Sequence, residues 1–271
     1  MKKTIFDIGM HTGRDTEFYL KKGFNVIAVE ANPTLASQAR TKFKKEIENN
    51  QLTVIEKAIA PEGVSEIEFY INKDKDDWGT ILPEWNRSMN SNYESIKVKT
   101  IQLETLIASY GVPYFMKIDI EGADVLCLQS LLKMNVMPDF ISVELLTSNN
   151  LKGKKVDCLA LLAHLYCIGY RNFKISDQSK NQDVKCPNPA LEGEFVDFTF
   201  GGDTSGLFGK ELIAPSFSFD ELSAMYLDFF YPSETSNPNL IEKILHKVVF
   251  RYDKKVQLFH ENGWFDVHAS K

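Results

Sequence analysis

Short apolar runs at residues 3–8, 25–29 and 51–56 are separated by stretches of helical period at 14–22 and 33–49. Gly23 ends the first of these helices and Pro33 opens the second, which carries Leu35, Ala39 and Phe43 on one face. Residues 66–71 and 95–101 alternate apolar with polar, as strands do, and a short helix over 103–110 is closed by Gly111. A strand at 114–118, a helix at 123–134, a strand at 140–143, a helix at 156–168 stopped by Gly169 and a strand at 170–175 continue the series. Alternating strand and helix predict an α/β protein with a parallel sheet and helices on both faces. The polar connection 72–92, containing Asp76-Asp77-Trp78-Gly79-Thr80, is long enough to be functional or mobile. Residues 176–194 are polar without a period. After Phe195 the texture changes, with a flexible turn at 201–206, an aromatic-rich stretch at 217–231 and an amphipathic helical pattern at 240–250. The expected organisation is a catalytic domain over 1–200 and a C-terminal extension over 201–271, serving as lid, substrate wall or dimer contact.

The first β-α-β unit carries the chemistry. Gly9 and Gly13 allow a tight turn and close approach of backbone to a ligand. Glu30 stands at the C-terminal edge of the second strand, where open α/β sheets bind ligands. An acid about twenty residues past the glycines can accept both hydroxyls of a ribose. The spacing is Gly-x-x-x-Gly rather than Gly-x-Gly-x-x-Gly, and Asp7 lies two residues before Gly9. A carboxylate there suits a ligand with a positive charge, such as the amino group of S-adenosylmethionine, and suits a pyrophosphate badly. Asp15 adds negative charge. The turn is a methyltransferase signal. An NAD-dependent oxidoreductase would need the tighter glycine triplet and a Tyr-Lys or His arrangement. A non-catalytic nucleotide-binding protein is opposed by the intact set of Asp7, Glu30 and Asp119-x-Glu121-Gly122.

A net charge of -6 argues against a nucleic-acid acceptor. The basic runs at 40–45 and 152–155 read as a solvated helix face and a loop, the second flanking the expected active-site edge. Of four cysteines, Cys127, Cys158 and Cys167 fall in apolar helical stretches and read as reduced core residues, and no C-x-x-C pair suggests zinc. No window is apolar enough for a membrane helix, and the chain enters its first strand directly. A cytoplasmic enzyme is expected.

Two stretches together carry a family resemblance: Phe6-Asp-Ile-Gly-Met-His-Thr-Gly13 continuing to Glu30-Ala-Asn-Pro33, and Ile101-Gln-Leu-Glu-Thr-Leu106 followed by Met116-Lys-Ile-Asp-Ile-Glu-Gly-Ala-Asp124. Over residues 4–175 the chain resembles the FkbM family of S-adenosylmethionine-dependent methyltransferases, and Glu144 at the end of the next strand also fits. The resemblance implies the class I, Rossmann-like fold, a seven-stranded mostly parallel sheet with one antiparallel strand near the C-terminal edge. It also implies O-methylation, often of a sugar hydroxyl. Met10-His11-Thr12 stand where many relatives carry Ala-Asn.

By position, Asp7, Gly9, His11, Gly13, Asp15, Thr16 and Asp119 are expected around the methionine end of the cofactor. Glu30, with Ala31 and Asn32 beside it, is expected at the ribose, and Ala58 and Ile59 at the adenine, with Glu56 or a backbone amide reading its edge. Glu121, Asp119 and His11 are the candidate bases for an alcohol nucleophile. Lys117 shares a strand face with Asp119 and either pairs with an acid or touches substrate. Asp119, Glu121 and Glu144, with Asp124 nearby, could offer oxygens to Mg²⁺ or Mn²⁺. Otherwise Asp124 faces solvent and Glu144 caps or pairs. The partners expected are a small-molecule or glycan acceptor and a second copy of the chain.

Overall fold

The computed structural model describes residues 2–74, 78–83, 92–145, 155–201, 204–230, 259 and 264–271. Strand β1 (Thr4–Ile8) turns Phe6 and Ile8 into one core and Ile5 into another, so the sheet is apolar on both faces. Helix α1 (Arg14–Lys21) begins on Gly13, left-handed at φ 74°, and buries Phe18 and Tyr19 on the Ile5 side. Strand β2 (Asn25–Glu30) follows. Asn32 then caps α2 (Pro33–Lys42), its side chain accepting the Thr34 N–H at 3.0 Å. The single helix expected over 33–49 is two. The chain leaves helical geometry at Phe43, whose ring is buried, and resumes as α3 (Lys44–Glu48), which fully buries none of its residues and packs Ile47, partly buried, against the core.

After β3 (Leu52–Glu56), strands β4 (Ala58–Ile59), β5 (Glu66–Asn72) and β6 (Tyr93–Ile101) form a separate three-stranded sheet in the order β4-β6-β5. Its small core is Ala58, Phe69 and Val98. Helix α4 (Leu103–Tyr110), strand β7 (Phe115–Ile118), helix α5 (Asp124–Met134), strand β8 (Phe140–Leu145), helix α6 (Lys155–Ile168), strand β9 (Asn172–Asp177), helix α7 (Phe219–Phe230) and strand β10 (Phe265–Ser270) complete the chain. The main sheet has seven strands in the order β3-β2-β1-β7-β8-β10-β9, parallel throughout except β10, which is antiparallel to both neighbours. Leucines of α4 to α7 cover one face. The other is covered by α1 and by Phe200, Leu207 and Phe208.

The expected boundary at residue 200 therefore does not separate an extension from the sheet. Phe208 stacks on Phe115 of β7 at 4.7 Å, and Lys22 forms a fully buried ion pair with Glu211 at 2.9 Å. Strand β10 fills the gap between β8 and β9. The helix expected over 240–250 lies outside the described residues, as do Asp76, Asp77 and residues 152–154 of the basic cluster. Cys127 is a buried free thiol, but Cys167 is exposed, because α6 turns Leu162 and Leu165 inward instead. Among the described residues, no helix is long and apolar enough to cross a membrane.

Candidate active site

The C-terminal ends of β1, β2 and β7 open onto one cleft, with the β4–β6 sheet and residues 79–81 as its far wall. Two loops cross beneath it. A Cβ on Gly9 would lie 1.8 Å from the Asp119 carbonyl oxygen. The glycine expected to admit a ligand therefore admits the neighbouring loop. Gly13 lies behind the cleft, where a Cβ would meet Phe43 and Met10 at 2.7 and 2.9 Å. Each crossing loop holds a non-glycine residue in the left-handed region, His11 at φ 51° and Glu121 at φ 52°. Such strain persists only where the surroundings enforce it.

Lys117 knots the floor. Its Nζ donates to the Gly9 carbonyl at 3.1 Å and lies 3.3 Å from Asp119, 3.6 Å from Asp7 and 3.6 Å from Asp15. Burial alone would push Lys117 down, but the surrounding carboxylates hold it well above the usual lysine value. Asp7 is fully buried below the cleft, and burial pushes its carboxyl up, against the pull of Lys117 and of a 2.5 Å hydrogen bond from Thr16. Burial pushes Asp15 to about 6, although its carboxylate accepts the Ser205 N–H at 3.0 Å. The positive charge expected opposite Asp7 thus comes from within the chain. One ammonium against three acids still leaves the floor net negative when all are ionised.

Glu30 ends β2 with both oxygens engaged, accepting the His11 N–H and the Asn32 N–H, each at 2.8 Å. These bonds lock the loops after β1 and β2 at the rim. Burial pushes Glu30 to about 7, the two N–H groups opposing it.

At the other end of the cleft stand Asp119, Glu121 and Glu144, each offering a carboxylate oxygen within 4.8 Å of the others. Thr80 donates to the Glu121 carbonyl at 2.8 Å and so ties the far wall to this turn. The Trp264 indole donates to Glu144 Oε1 at 2.6 Å. Burial, then the facing Glu121 and Asp119, push Glu144 well above the usual carboxylate range. Asp124 does not face solvent. It is buried and accepts the Gly122 N–H at 3.1 Å, holding the turn.

Of the residues expected at the cofactor, Gly9, His11, Asp15, Glu30, Ala31, Asn32, Ala58, Ile59 and Asp119 line the cleft, and Glu121 joins them. Asp7, Gly13 and Thr16 support it from behind. Glu56 turns outward to Arg40 at 2.5 Å, and the neighbouring Lys57 lines the cleft instead. Phe69, Thr80, Gln178 and Trp264 are walls not anticipated from sequence. Two had a local signal: Thr80 lies in the long polar connection 72–92, and Trp264 precedes a stretch that alternates apolar with polar.

A mostly parallel sheet in this order, an acid ending β2, an apolar slot beside it and a floor of three acids around one lysine define a nucleoside-cofactor methyltransferase of the class I type. The Methyltransferase FkbM domain matches residues 7–185, and the chain belongs to that family. It is an S-adenosylmethionine-dependent methyltransferase. No curated protein matches its sequence. Similar solved structures include precorrin-6y C5,15-methyltransferase from Geobacter metallireducens, 12% identical, covering 100% of this chain and 80% of that one with a TM-score of 0.40. A SAM-dependent methyltransferase from Archaeoglobus fulgidus is 11% identical, covering 100% and 86%, with a TM-score of 0.38.

Proposed function

We propose that the chain methylates a hydroxyl of a sugar, a glycan or a related polyol. Glu30 holds the ribose hydroxyls, Ala58 and Ile59 border the adenine, and the Asp15–Lys117–Asp119 floor receives the charged methionine end. Bound there, S-adenosylmethionine would supply the methyl group for the acceptor oxygen, with the C–S electron pair kept by sulfur, and the hydroxyl proton would be left for the protein to remove. The observation that carries the reading is Glu121, held at φ 52° between Asp119 and Glu144 at the cleft. A hydroxyl keeps its proton tightly, so its methylation calls for a positioned base. Glu121 is the first such base, with Asp119 and His11 beside it. The net charge of -6 supports a small-molecule or glycan acceptor over a nucleic acid. We place the enzyme in the cytoplasm.

The test is a panel of nucleotide-sugars, free glycans, polyols and amines, scored by S-adenosylhomocysteine release, with the product methyl located by NMR. An O-methyl ether on a polyol is the expected product. N-methylated products with none at oxygen would replace the hydroxyl reading.

A further inference from the structure

Asp15 lines the cleft from the first turn of α1, yet a group that fixes its carboxylate comes from 190 residues further along the chain. The Ser205 backbone N–H points between the two carboxylate oxygens, 3.1 Å from Oδ1 and 3.0 Å from Oδ2. Residues 204–206 form a buried turn beneath the floor. That turn is pegged from behind by Asn181, whose side-chain amide donates to the Thr204 carbonyl at 2.6 Å. Asn181 is itself buried, in the 3-10 turn Gln178–Asp183. Gly206, at φ 79°, packs so closely that a Cβ there would lie 2.8 Å from Asn181 Oδ1. The 204–206 turn lies beyond the residues 7–185 that match the family.

We propose that Asn181 is a positioning residue for the cofactor: through the 204–206 turn it holds the Ser205 N–H against Asp15 and so aims that carboxylate at the ammonium of the methionine end. The assignment rests on the placement of the methionine end over Asp15 given above. A hydrogen bond to an ionised acceptor is stronger and more orienting than a neutral one. A backbone N–H has no rotamer of its own, so its aim depends on where the turn is held. The same bond favours the charged carboxylate. Lys117 and Asp119 from the end of β7, Asp7 from β1 and Tyr19 one turn along α1 also face Asp15. Burial and the two acids favour a proton on Asp15, and Lys117 and the Ser205 N–H oppose it.

The test compares S-adenosylhomocysteine, which carries the ammonium, with methylthioadenosine, which has the same nucleoside and no amino-acid end. Calorimetry gives both affinities for the full chain and for its Asn181→Ala, Gly206→Ala and Asp15→Asn variants. At about pH 7, Asn181→Ala and Gly206→Ala should each weaken S-adenosylhomocysteine about tenfold, the size of a hydrogen bond to a charged group. Methylthioadenosine should stay within about twofold. Without the N–H, Asp15 keeps its proton to higher pH, so the deficit should shrink as the pH rises to about 8.5. Glu30 serves the ribose of both ligands and drops out of their ratio. Equal losses for both ligands would make Asn181 a scaffold residue only and overturn the proposal. So would unchanged S-adenosylhomocysteine affinity in both turn variants while Asp15→Asn loses it. If Asp15→Asn itself binds S-adenosylhomocysteine like the wild type, the methionine end does not lie over Asp15, and the proposal falls together with that reading.

Discussion

Glu30 shows how one carboxyl does two jobs. Its oxygens bind the His11 and Asn32 amides and so set the rim, and the same carboxylate is placed to receive ribose hydroxyls. Burial raises it to about 7, well above the usual carboxylate range. Below about 7 the cofactor-free protein holds a proton there, and a carboxylate acceptor is gained only as pH rises through that value. Affinity for S-adenosylhomocysteine should therefore fall as pH drops below 7, toward a limit of about tenfold per pH unit. Glu30→Ala should flatten that dependence and cost about 2–4 kcal/mol of binding at high pH, because a charged acceptor is lost. Calorimetry across this range checks both. A pH-independent wild-type affinity would mean that the ribose is bound elsewhere.

The loops after β1 and β7 act as a pair. Gly9 stands at φ 84° against the Asp119 carbonyl, and Lys117 bridges the two loops from below. Gly9→Ala asks the backbone to keep a left-handed conformation and the neighbouring loop to move aside. The loss of stability should exceed the ~1–3 kcal/mol of the strained conformation alone. Urea denaturation measures it, and weakened S-adenosylhomocysteine binding should accompany it, since the displaced loop carries Asp119. A variant as stable as the wild type would show that the crossing is looser than its geometry. The helix pair α2–α3 illustrates the converse. Where the apolar face thins to one partly buried residue, as with Ile47 after Phe43, helical sequence alone does not keep the axis straight.

At the scale of the molecule, strand β10 completes the main sheet one place from its edge. Strand β10 pairs with β8 over residues 265–270 on one side and with β9 on the other, and Trp264 just before it reaches Glu144. Removing residues 264–271 would strip backbone partners from two strands at once and take out Phe265 and Val267, both fully buried, leaving a gap in the core between β8 and β9. The truncated chain should fail to fold, giving aggregated protein or a circular dichroism spectrum without a cooperative melt. A truncation that melts cooperatively and still binds S-adenosylhomocysteine would show that the sheet tolerates an open seam.

The local sequence determined the elements and the edge at which they meet. Parallel strands deliver their C-terminal residues to one side, so Glu30, Asp119 and Glu144 share an edge once each strand is recognised. Asn32 and Pro33 opened α2, and Gly13 opened α1, through interactions with near neighbours in sequence. Tertiary structure decided what those acids face. Lys117, rather than a ligand, lies opposite Asp7, because pairing of β1 with β7 puts Asp7 and Lys117 in register. The alternating stretches at 66–72 and 93–101 form a sheet of their own, a choice that period alone does not make. The short strand β10 lacked the context to be recognised, since its partners are set by long-range backbone pairing. Periodicity and turn chemistry act over a few residues and can be read along the chain. Ion pairing and strand insertion depend on which distant segments meet, and only the folded chain settles that.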